Sequence, residues 1–246
     1  MGLFGRLASG WKRYSFFMFL RLVVKNFVYY SAELLSGRLI GKSTSSNSTF
    51  DLSYDTDTDT IREIGSLAID SENARHGKRY QPSPQELTTS IISALQIDHR
   101  RFAFLDFGAG KGRVLLIAAE WPFAEVIGIE FSRELCSIAA DNIRKFPDEK
   151  KQASRIECVF GEATTYALPE MPLVCYFYNP FDQVIMQAVM ENLISSHSRN
   201  PRDILIVYVH PEHRSLFDRG GFWELLAESE SHVVYRASTG GLNGAG

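Results

Sequence analysis

The sequence predicts an α/β domain with a mostly parallel sheet, and three observations support this fold class. Apolar runs of strand length alternate with stretches of helical character, as in successive βαβ units. The first run, residues 102–107, leads into a turn with three glycines, and residues 114–119 continue as an apolar helix. The last two runs, residues 223–227 and 232–236, follow each other with no helix between them. They predict an antiparallel hairpin at the C-terminal end of the sheet.

The turn after the first strand indicates a ligand site. Glycines allow unusual backbone dihedrals and close approach of a ligand, and the following helix presents free N–H groups. A dinucleotide fingerprint starting at Gly108 would need a glycine where Arg113 stands, and a P-loop would need a hydroxyl residue at Gly112. Instead, an acid precedes alternating glycines, as Asp106-x-Gly108-x-Gly110-x-Gly112. This pattern suits a ligand that presents positive charge rather than phosphate.

A second acid, Glu130, ends the next predicted strand. It lies 18 residues after Gly112, about the separation at which an α/β nucleotide site places a carboxylate on a ribose. Its two oxygens can accept hydrogen bonds from both ribose hydroxyls. The two motifs together resemble those of the class I S-adenosylmethionine-dependent methyltransferases. The resemblance implies that Asp106, Gly108, Gly110 and Gly112 hold the methionine end of S-adenosyl-L-methionine and that Glu130 binds its ribose.

The resemblance covers roughly residues 76–237 and implies a doubly wound, seven-stranded sheet that the C-terminal hairpin closes. Between the first strand and the hairpin, the predicted strands are residues 125–130, 155–160, 173–178 and 203–209. Ser132 is expected to cap a helix that runs to about Phe146. For the whole chain, the predicted organisation is an amphipathic helical arm (1–41), a linker (42–60), a methyltransferase domain (61–237) and a flexible tail (238–246).

Two further cofactor contacts follow from the resemblance. In methyltransferases, an acid in the turn after the third strand commonly binds the adenine amino group, and Glu162 occupies this position, where aspartate is more usual. In the disruptor-of-telomeric-silencing lysine methyltransferases, a tyrosine-and-proline segment before the first motif helps to enclose the cofactor, so Tyr80 is a candidate lid residue. The alternatives are an exposed turn glutamate for Glu162 and a packing role for Tyr80.

Ser83 and Glu86 then form a capping box around Pro84, which predicts a helix over residues 84–96.

The fourth predicted strand ends in Asn179-Pro180-Phe181, where we expect the methyl acceptor. An amide and a carbonyl before proline can accept hydrogen bonds from an amine, and an aromatic face favours a developing cation. The tripeptide resembles the fourth motif of amino-group methyltransferases and is nearest to the asparagine-containing turn of the disruptor-of-telomeric-silencing enzymes. We therefore expect these three residues to be catalytic, orienting a protein lysine or a small-molecule amine for direct methyl transfer without a metal. An inert Asn-Pro helix entry is the alternative.

Composition limits the partners. The 246 residues carry a formal net charge of −3 and show no basic surface interleaved with aromatic residues, so a nucleic-acid partner is not expected. The three cysteines have no metal-ligand spacing and indicate a reducing, cytoplasmic compartment. His210 and His213 could ligate a metal but lack an evident third ligand, so a polar loop is the expected structure.

The arm has a different character from the predicted domain. One helical stripe in residues 11–40 consists of Phe16, Leu20, Val23, Phe27, Tyr30 and Leu34. Basic residues interrupt every apolar run before the length of a membrane span. The arm could contact a membrane surface peripherally, pack on its own domain or pack on another copy. A non-catalytic scaffold that keeps the cofactor fold and attaches through this arm is therefore the alternative function.

Alternating aspartates precede the predicted domain. Asp55, Asp57 and Asp59 superficially suggest a calcium loop, but the glycine of an EF-hand would fall at Thr60 and its bidentate glutamate at Ser66. We therefore predict a solvated acidic segment that leads into a helix near residues 61–69.

Overall fold

The fold is described from a computed structural model of the protein, over residues 49–59, 81–219 and 221–237. These residues form a sheet of seven strands in the order β3-β2-β1-β4-β5-β7-β6. The strands are β1 (Ala103–Phe107), β2 (Glu125–Glu130), β3 (Ile156–Phe160), β4 (Leu173–Tyr178), β5 (Ile204–Val209), β6 (Trp223–Glu228) and β7 (His232–Ala237). The first five are parallel, and β7 pairs antiparallel with both β5 and β6. The predicted fold class, including the C-terminal hairpin, is confirmed.

Helices cover both faces of this sheet. They are α1 (Thr49–Tyr54), α2 (Gln85–Ala94), α3 (Arg113–Ala118), α4 (Arg133–Lys145), α5 (Gln183–Arg199) and the short α6 (Ser215–Asp218). One core contains α5 side chains such as Met186 and Val189 packed on Leu105 and Phe177 of the sheet. The other contains α1, α2 and α3 side chains on the opposite face. Because strand side chains alternate between faces, β1 contributes to both cores, which explains why it is buried throughout and apolar except at Asp106.

The order in which strands are added to the sheet reverses at β1. From β1 the sheet first grows through β2 to β3, and it then grows on the other side through β4 and β5. Ligands of open α/β sheets bind beyond the carboxyl ends of the strands at such a reversal. The turns after β1, β2 and β4 therefore surround the expected ligand position.

The two predicted helix caps have different outcomes. Ser132 caps α4, where its side chain accepts a hydrogen bond from the Leu135 N–H. The capping box at Ser83 is wrong: α2 starts at Gln85 after Pro84, without a side-chain cap. Ser83 is instead buried, and its side chain interacts with the hydroxyl of Tyr176 in β4. The interaction of Ser83 with a buried hydroxyl of the core thus replaces the predicted cap at the start of α2.

The end of the predicted linker belongs to the folded domain. Residues 49–54 form α1, and Phe50 lies in the second core. Asp51 is buried, and Asp57 and Asp59 make ion pairs with side chains of the turn after β1. The segment is therefore not simply solvated, because cations distant in the sequence pair with its aspartates.

Several predictions fall outside the described residues. These are the arm in residues 1–41, the first part of the linker, the helix near residues 61–69 and the tail in residues 238–246. In the part of the chain that the structure describes, no helix is long and apolar enough to cross a membrane.

Candidate functional site

The turn between β1 and α3 has the left-handed backbone that its glycines permit. Gly108, Gly110 and Gly112 have φ angles of 81°, 54° and 82°. A Cβ at Gly108 would lie 2.7 Å from the Cβ of Pro180, and a Cβ at Gly112 would lie 3.0 Å from the Cβ of Ala139. The first glycine thus lets the turn approach the end of β4, whereas Gly112 lets it approach α4.

Two buried carboxyl groups lie under this turn. Glu130 ends β2, and its Oε2 accepts a hydrogen bond from the Gly110 N–H at 2.8 Å, while its Oε1 accepts one from the Ser132 N–H at 2.8 Å. Asp106 is in β1 and is 4% exposed. The Phe131 N–H is a third backbone donor to this Glu130 carboxylate, which leaves one of its roughly four acceptor positions for a ligand.

Burial disfavours negative charge on both acids. Desolvation, together with the nearby Glu130 carboxyl, raises the pKa of Asp106 to about 8. Desolvation also raises the pKa of Glu130 to about 7, although the hydrogen bonds from Ser132 and Gly110 oppose this shift. A bound cation would offset the burial penalty, so the pair is suited to a positively charged ligand.

The end of β4 presents a fixed amide. Asn179 has a φ angle of 45°, a left-handed conformation that asparagine adopts more readily than most residues. Its Nδ2 donates to Glu212 Oε1 at 2.8 Å, and its Oδ1 accepts a hydrogen bond from the Tyr208 hydroxyl at 3.3 Å. A carboxylate can only accept, so these two partners determine which way the amide faces.

A cavity of about 370 Å³ lies between these elements. Four of the predicted cofactor residues line it, namely Asp106, Gly108, Gly110 and Glu130. The predicted acceptor residues Asn179, Pro180 and Phe181 line its other side. The structure therefore brings together residues that the sequence separates by more than 70 positions.

Two predicted cofactor residues are absent from the described lining of this cavity. Gly112 caps α3, and its lack of a Cβ lets the turn pack closely against Ala139 of α4. Glu162 lines a smaller neighbouring cavity, which shares Phe131 and Phe181 with the large one. Tyr80 lies outside the described residues.

The cavity also has wall residues that the motifs did not identify. Arg113 lines it directly after the glycine turn, and His210 and Glu212 line it after β5. The rule that placed Asn179 at the site applies equally to the carboxyl end of β5, so it could have found His210 and Glu212. The described residues bring together no group of three or more histidine, cysteine, aspartate or glutamate side chains able to hold a metal.

Comparisons with known proteins gave no match to a family model and none to a curated protein. Among solved structures, an RNA methyltransferase from Salinibacter ruber in complex with S-adenosyl-L-homocysteine is 17% identical, covers 63% of this chain and 92% of its own, and has a TM-score of 0.44. The methyltransferase domain of bacterial CtHen1 is 13% identical, with 61% and 97% covered and a TM-score of 0.45.

The pyocyanin biosynthetic protein PhzM is 13% identical with a TM-score of 0.46. That match covers 62% of this chain, which spans only 55% of the length of PhzM. At such identities and TM-scores, the function has to be argued from the geometry of the cavity.

Proposed function

We propose that the protein is an S-adenosylmethionine-dependent methyltransferase that methylates an amine. One observation carries this proposal: a glycine turn, two buried acids and the Asn179-Pro180-Phe181 tripeptide meet at one cavity beyond the carboxyl ends of β1, β2 and β4. At about 370 Å³, the cavity lies within the usual range for small-molecule sites, roughly 300–1,000 Å³.

The charges of the cavity favour a cationic cofactor. Asp106 and Glu130 present carboxyl groups, and Arg113 is already paired with Asp59 at 2.8 Å. A phosphate group would oppose ionisation of these acids, whereas the amino group and sulfonium of S-adenosylmethionine would favour it. We assign Asp106 and the turn at Gly108 and Gly110 to the methionine end.

The ribose and the adenine of the cofactor can also be assigned to residues at the cavity. Glu130 would accept a hydrogen bond from a ribose hydroxyl at its remaining acceptor position. Phe131 lies between the large cavity and the smaller one, which Glu162 also lines. We assign the adenine to this junction, where an aromatic ring can pack against the base and a carboxylate can accept from its amino group.

The acceptor side consists of residues that hold a nucleophile in place. S-adenosylmethionine supplies a methyl group on a sulfonium, which a nucleophile takes in one in-line displacement. Asn179 Oδ1 has a lone pair beyond the one used by Tyr208 and would orient an amine N–H. Tyr178 and Phe181 line the same cavity and provide aromatic surface near the charge that develops on the nitrogen. Positioning is the main catalytic contribution that this arrangement supports.

Isothermal titration of the full chain with S-adenosylmethionine tests the cofactor, with NAD and a Glu130→Ala variant as controls. We expect micromolar binding of S-adenosylmethionine, loss of binding in the variant and no binding of NAD. Absence of S-adenosylmethionine binding by the folded protein would refute the proposal. Transfer of labelled methyl to a dialysed protein extract, compared with transfer to a panel of small amines, would then distinguish lysine from small-molecule acceptors.

A further inference from the structure

Two aspartates of the acidic segment, Asp57 and Asp59, form ion pairs with Lys111 and Arg113 at the glycine turn. Lys111 Nζ lies 2.6 Å from Asp57 Oδ1, and Arg113 Nη2 lies 2.8 Å from Asp59 Oδ1. The aspartates are two residues apart, as are the two cations, with Gly112 between them. The Lys111 side chain is fully buried whereas that of Asp57 is 52% exposed, so the ion pair joins the interior of the protein to its surface.

Residues 49–59, here named the clasp, are held in shape by Asp51. Its Oδ2 accepts hydrogen bonds from the Thr58 N–H at 2.9 Å and the Asp59 N–H at 2.8 Å, and its Oδ1 accepts from the Thr58 hydroxyl at 2.6 Å. Thr58 Oγ1 in turn accepts from Arg113 Nε at 2.7 Å. The guanidinium also lies 5.0 Å from the centre of the Phe50 ring. The clasp therefore surrounds Arg113 on several sides.

Asn142 of α4 joins the backbone of the clasp to the backbone of the turn. Its Nδ2 donates to the carbonyl of Asp57 at 3.0 Å and to that of Lys111 at 2.9 Å, and its Oδ1 accepts from the Asp57 N–H at 2.9 Å. One buried amide thus links both segments, which fixes the distance between them.

We propose that Asp57 and Asp59 of the clasp belong to the cofactor site, because they hold the two cations of the turn and so favour the cationic cofactor over its uncharged-sulfur product. This inference rests on the proposed function. Arg113 lines the cavity together with Asp106 and Glu130. Arg113 Nη2 also lies 3.8 Å from Asp51 Oδ1, so loss of the closer Asp59 carboxylate leaves the guanidinium less completely neutralised. It would then repel a sulfonium more than it would repel the thioether of S-adenosylhomocysteine. Asp57 and Asp59 are accordingly positioning residues that act through Lys111 and Arg113.

The test compares the affinities of the full chain for S-adenosylmethionine and S-adenosylhomocysteine, measured by titration calorimetry. For Asp59→Asn we expect S-adenosylmethionine binding to weaken by about 3- to 10-fold more than product binding at low ionic strength, with a smaller difference in high salt. Asp59→Glu keeps the charge and should restore the ratio. The inference would be overturned if Asp59→Asn kept the wild-type ratio of S-adenosylmethionine affinity to S-adenosylhomocysteine affinity. Equal weakening of the binding of both ligands would be such a result.

Asp55→Asn is the matched control. Asp55 belongs to the same alternating motif, but its side chain is 94% exposed and pairs with Lys145 on the surface. Its φ angle of 53° also suits asparagine. We expect this variant to keep the affinities of the wild-type protein for both ligands.

A second measurement needs no ligand. Hydrogen exchange at the amides of residues 108–113 should be faster in Asp57→Asn than in Asp55→Asn, because only the first variant releases the turn. Equal exchange in the two variants would overturn the inference. If the wild-type protein binds neither ligand, the proposed function is wrong. If it binds both and Asp59→Asn does not change the ratio of the two affinities, only the proposed role of Asp57 and Asp59 is wrong.

Discussion

Glu130 accepts the Gly110 N–H through one carboxylate oxygen and the Ser132 N–H through the other, each at 2.8 Å. One side chain at the end of β2 therefore fixes both the turn after β1 and the start of α4. Both hydrogen bonds favour the charged carboxylate, whereas burial disfavours it. The proposed contact of Glu130 with the ligand would therefore couple binding to the shape of the turn through a single ionisable group.

This coupling predicts the effect of Glu130→Gln. An amide has only one acceptor oxygen, so a backbone N–H loses its partner and the ribose loses its acceptor position. We expect S-adenosylmethionine affinity to fall about 30-fold, equivalent to roughly 2 kcal/mol, as measured by calorimetry.

The same substitution at Glu125 provides the control. Glu125 starts the same strand, and its Oε1 lies 3.5 Å from Arg155 on the surface. Glu125→Gln should bind the cofactor with the affinity of the wild-type protein. Equal affinities for Glu130→Gln and the wild-type protein would show that Glu130 does not contact the ligand.

The predicted cofactor residues that line the cavity come from continuous stretches of sequence. Asp106, Gly108 and Gly110 lie in one strand and turn, and Glu130 ends the next strand. Local pattern specifies such elements, and the rule for parallel sheets brings their carboxyl ends together. No long-range contact had to be known to place these four residues.

The parts that the sequence did not reveal depend on distant partners. Asp57 and Asp59 looked solvated because their cations, Lys111 and Arg113, lie 54 positions further along the chain. Gly112 was expected at the ligand, but its neighbour is Ala139 of α4. A short pattern shows that a glycine is needed. It does not show whether the close neighbour is a ligand or a packed helix.

Cofactor binding should depend on pH through Asp106 and Glu130. With pKa values raised to about 8 and about 7, both acids bind protons near neutral pH when no ligand is present. A cationic ligand favours their charged forms, so binding should release roughly one proton at pH 7. The affinity should rise between pH 6 and 8 and level off above the higher pKa. Calorimetry in buffers with different ionisation enthalpies measures this proton release.

The stability of the ligand-free protein should show the opposite trend. The native state holds protons on these acids at pH values where the unfolded chain has lost them, so both contributions to stability fall as pH rises from the usual carboxyl range through about 8. Asp106→Asn should reduce both the fall in stability and the proton release. If proton release is identical in this variant and the wild-type protein, Asp106 does not titrate on binding.

Gly108→Ala should damage the site and the fold together. The new Cβ would lie 2.7 Å from the Cβ of Pro180, and φ is 81°, so the turn and the end of β4 must move apart. We expect a loss of about 2 kcal/mol in the free energy of unfolding, measured with denaturant, and weaker cofactor binding. Gly161→Ala is the control because no atom lies within 4 Å of its added Cβ. A stability change of equal size in both variants would contradict this explanation.

A substitution at Tyr208 should affect the acceptor side of the cavity without affecting cofactor binding. Its hydroxyl accepts from the His213 N–H at 3.4 Å, so its own proton is directed to Asn179 Oδ1. Removing this donor in Tyr208→Phe leaves Glu212 as the hydrogen-bond partner of the amide among the described residues. We expect labelled-methyl transfer to fall about 10-fold while S-adenosylmethionine affinity stays within about twofold, because one positioning hydrogen bond is lost on the acceptor side alone.

Asn179→Ala should lower methyl transfer further, by about 100-fold, because the orienting amide itself is removed. Tyr235→Phe is the control for both variants: it removes a hydroxyl that donates to Asp218 at 2.7 Å, outside the described lining of the cavity. Unchanged transfer in Asn179→Ala would remove this residue from the acceptor site. Loss of cofactor affinity in Tyr208→Phe would instead place the amide on the cofactor, since a group that positions only the acceptor cannot change the binding of the other reactant.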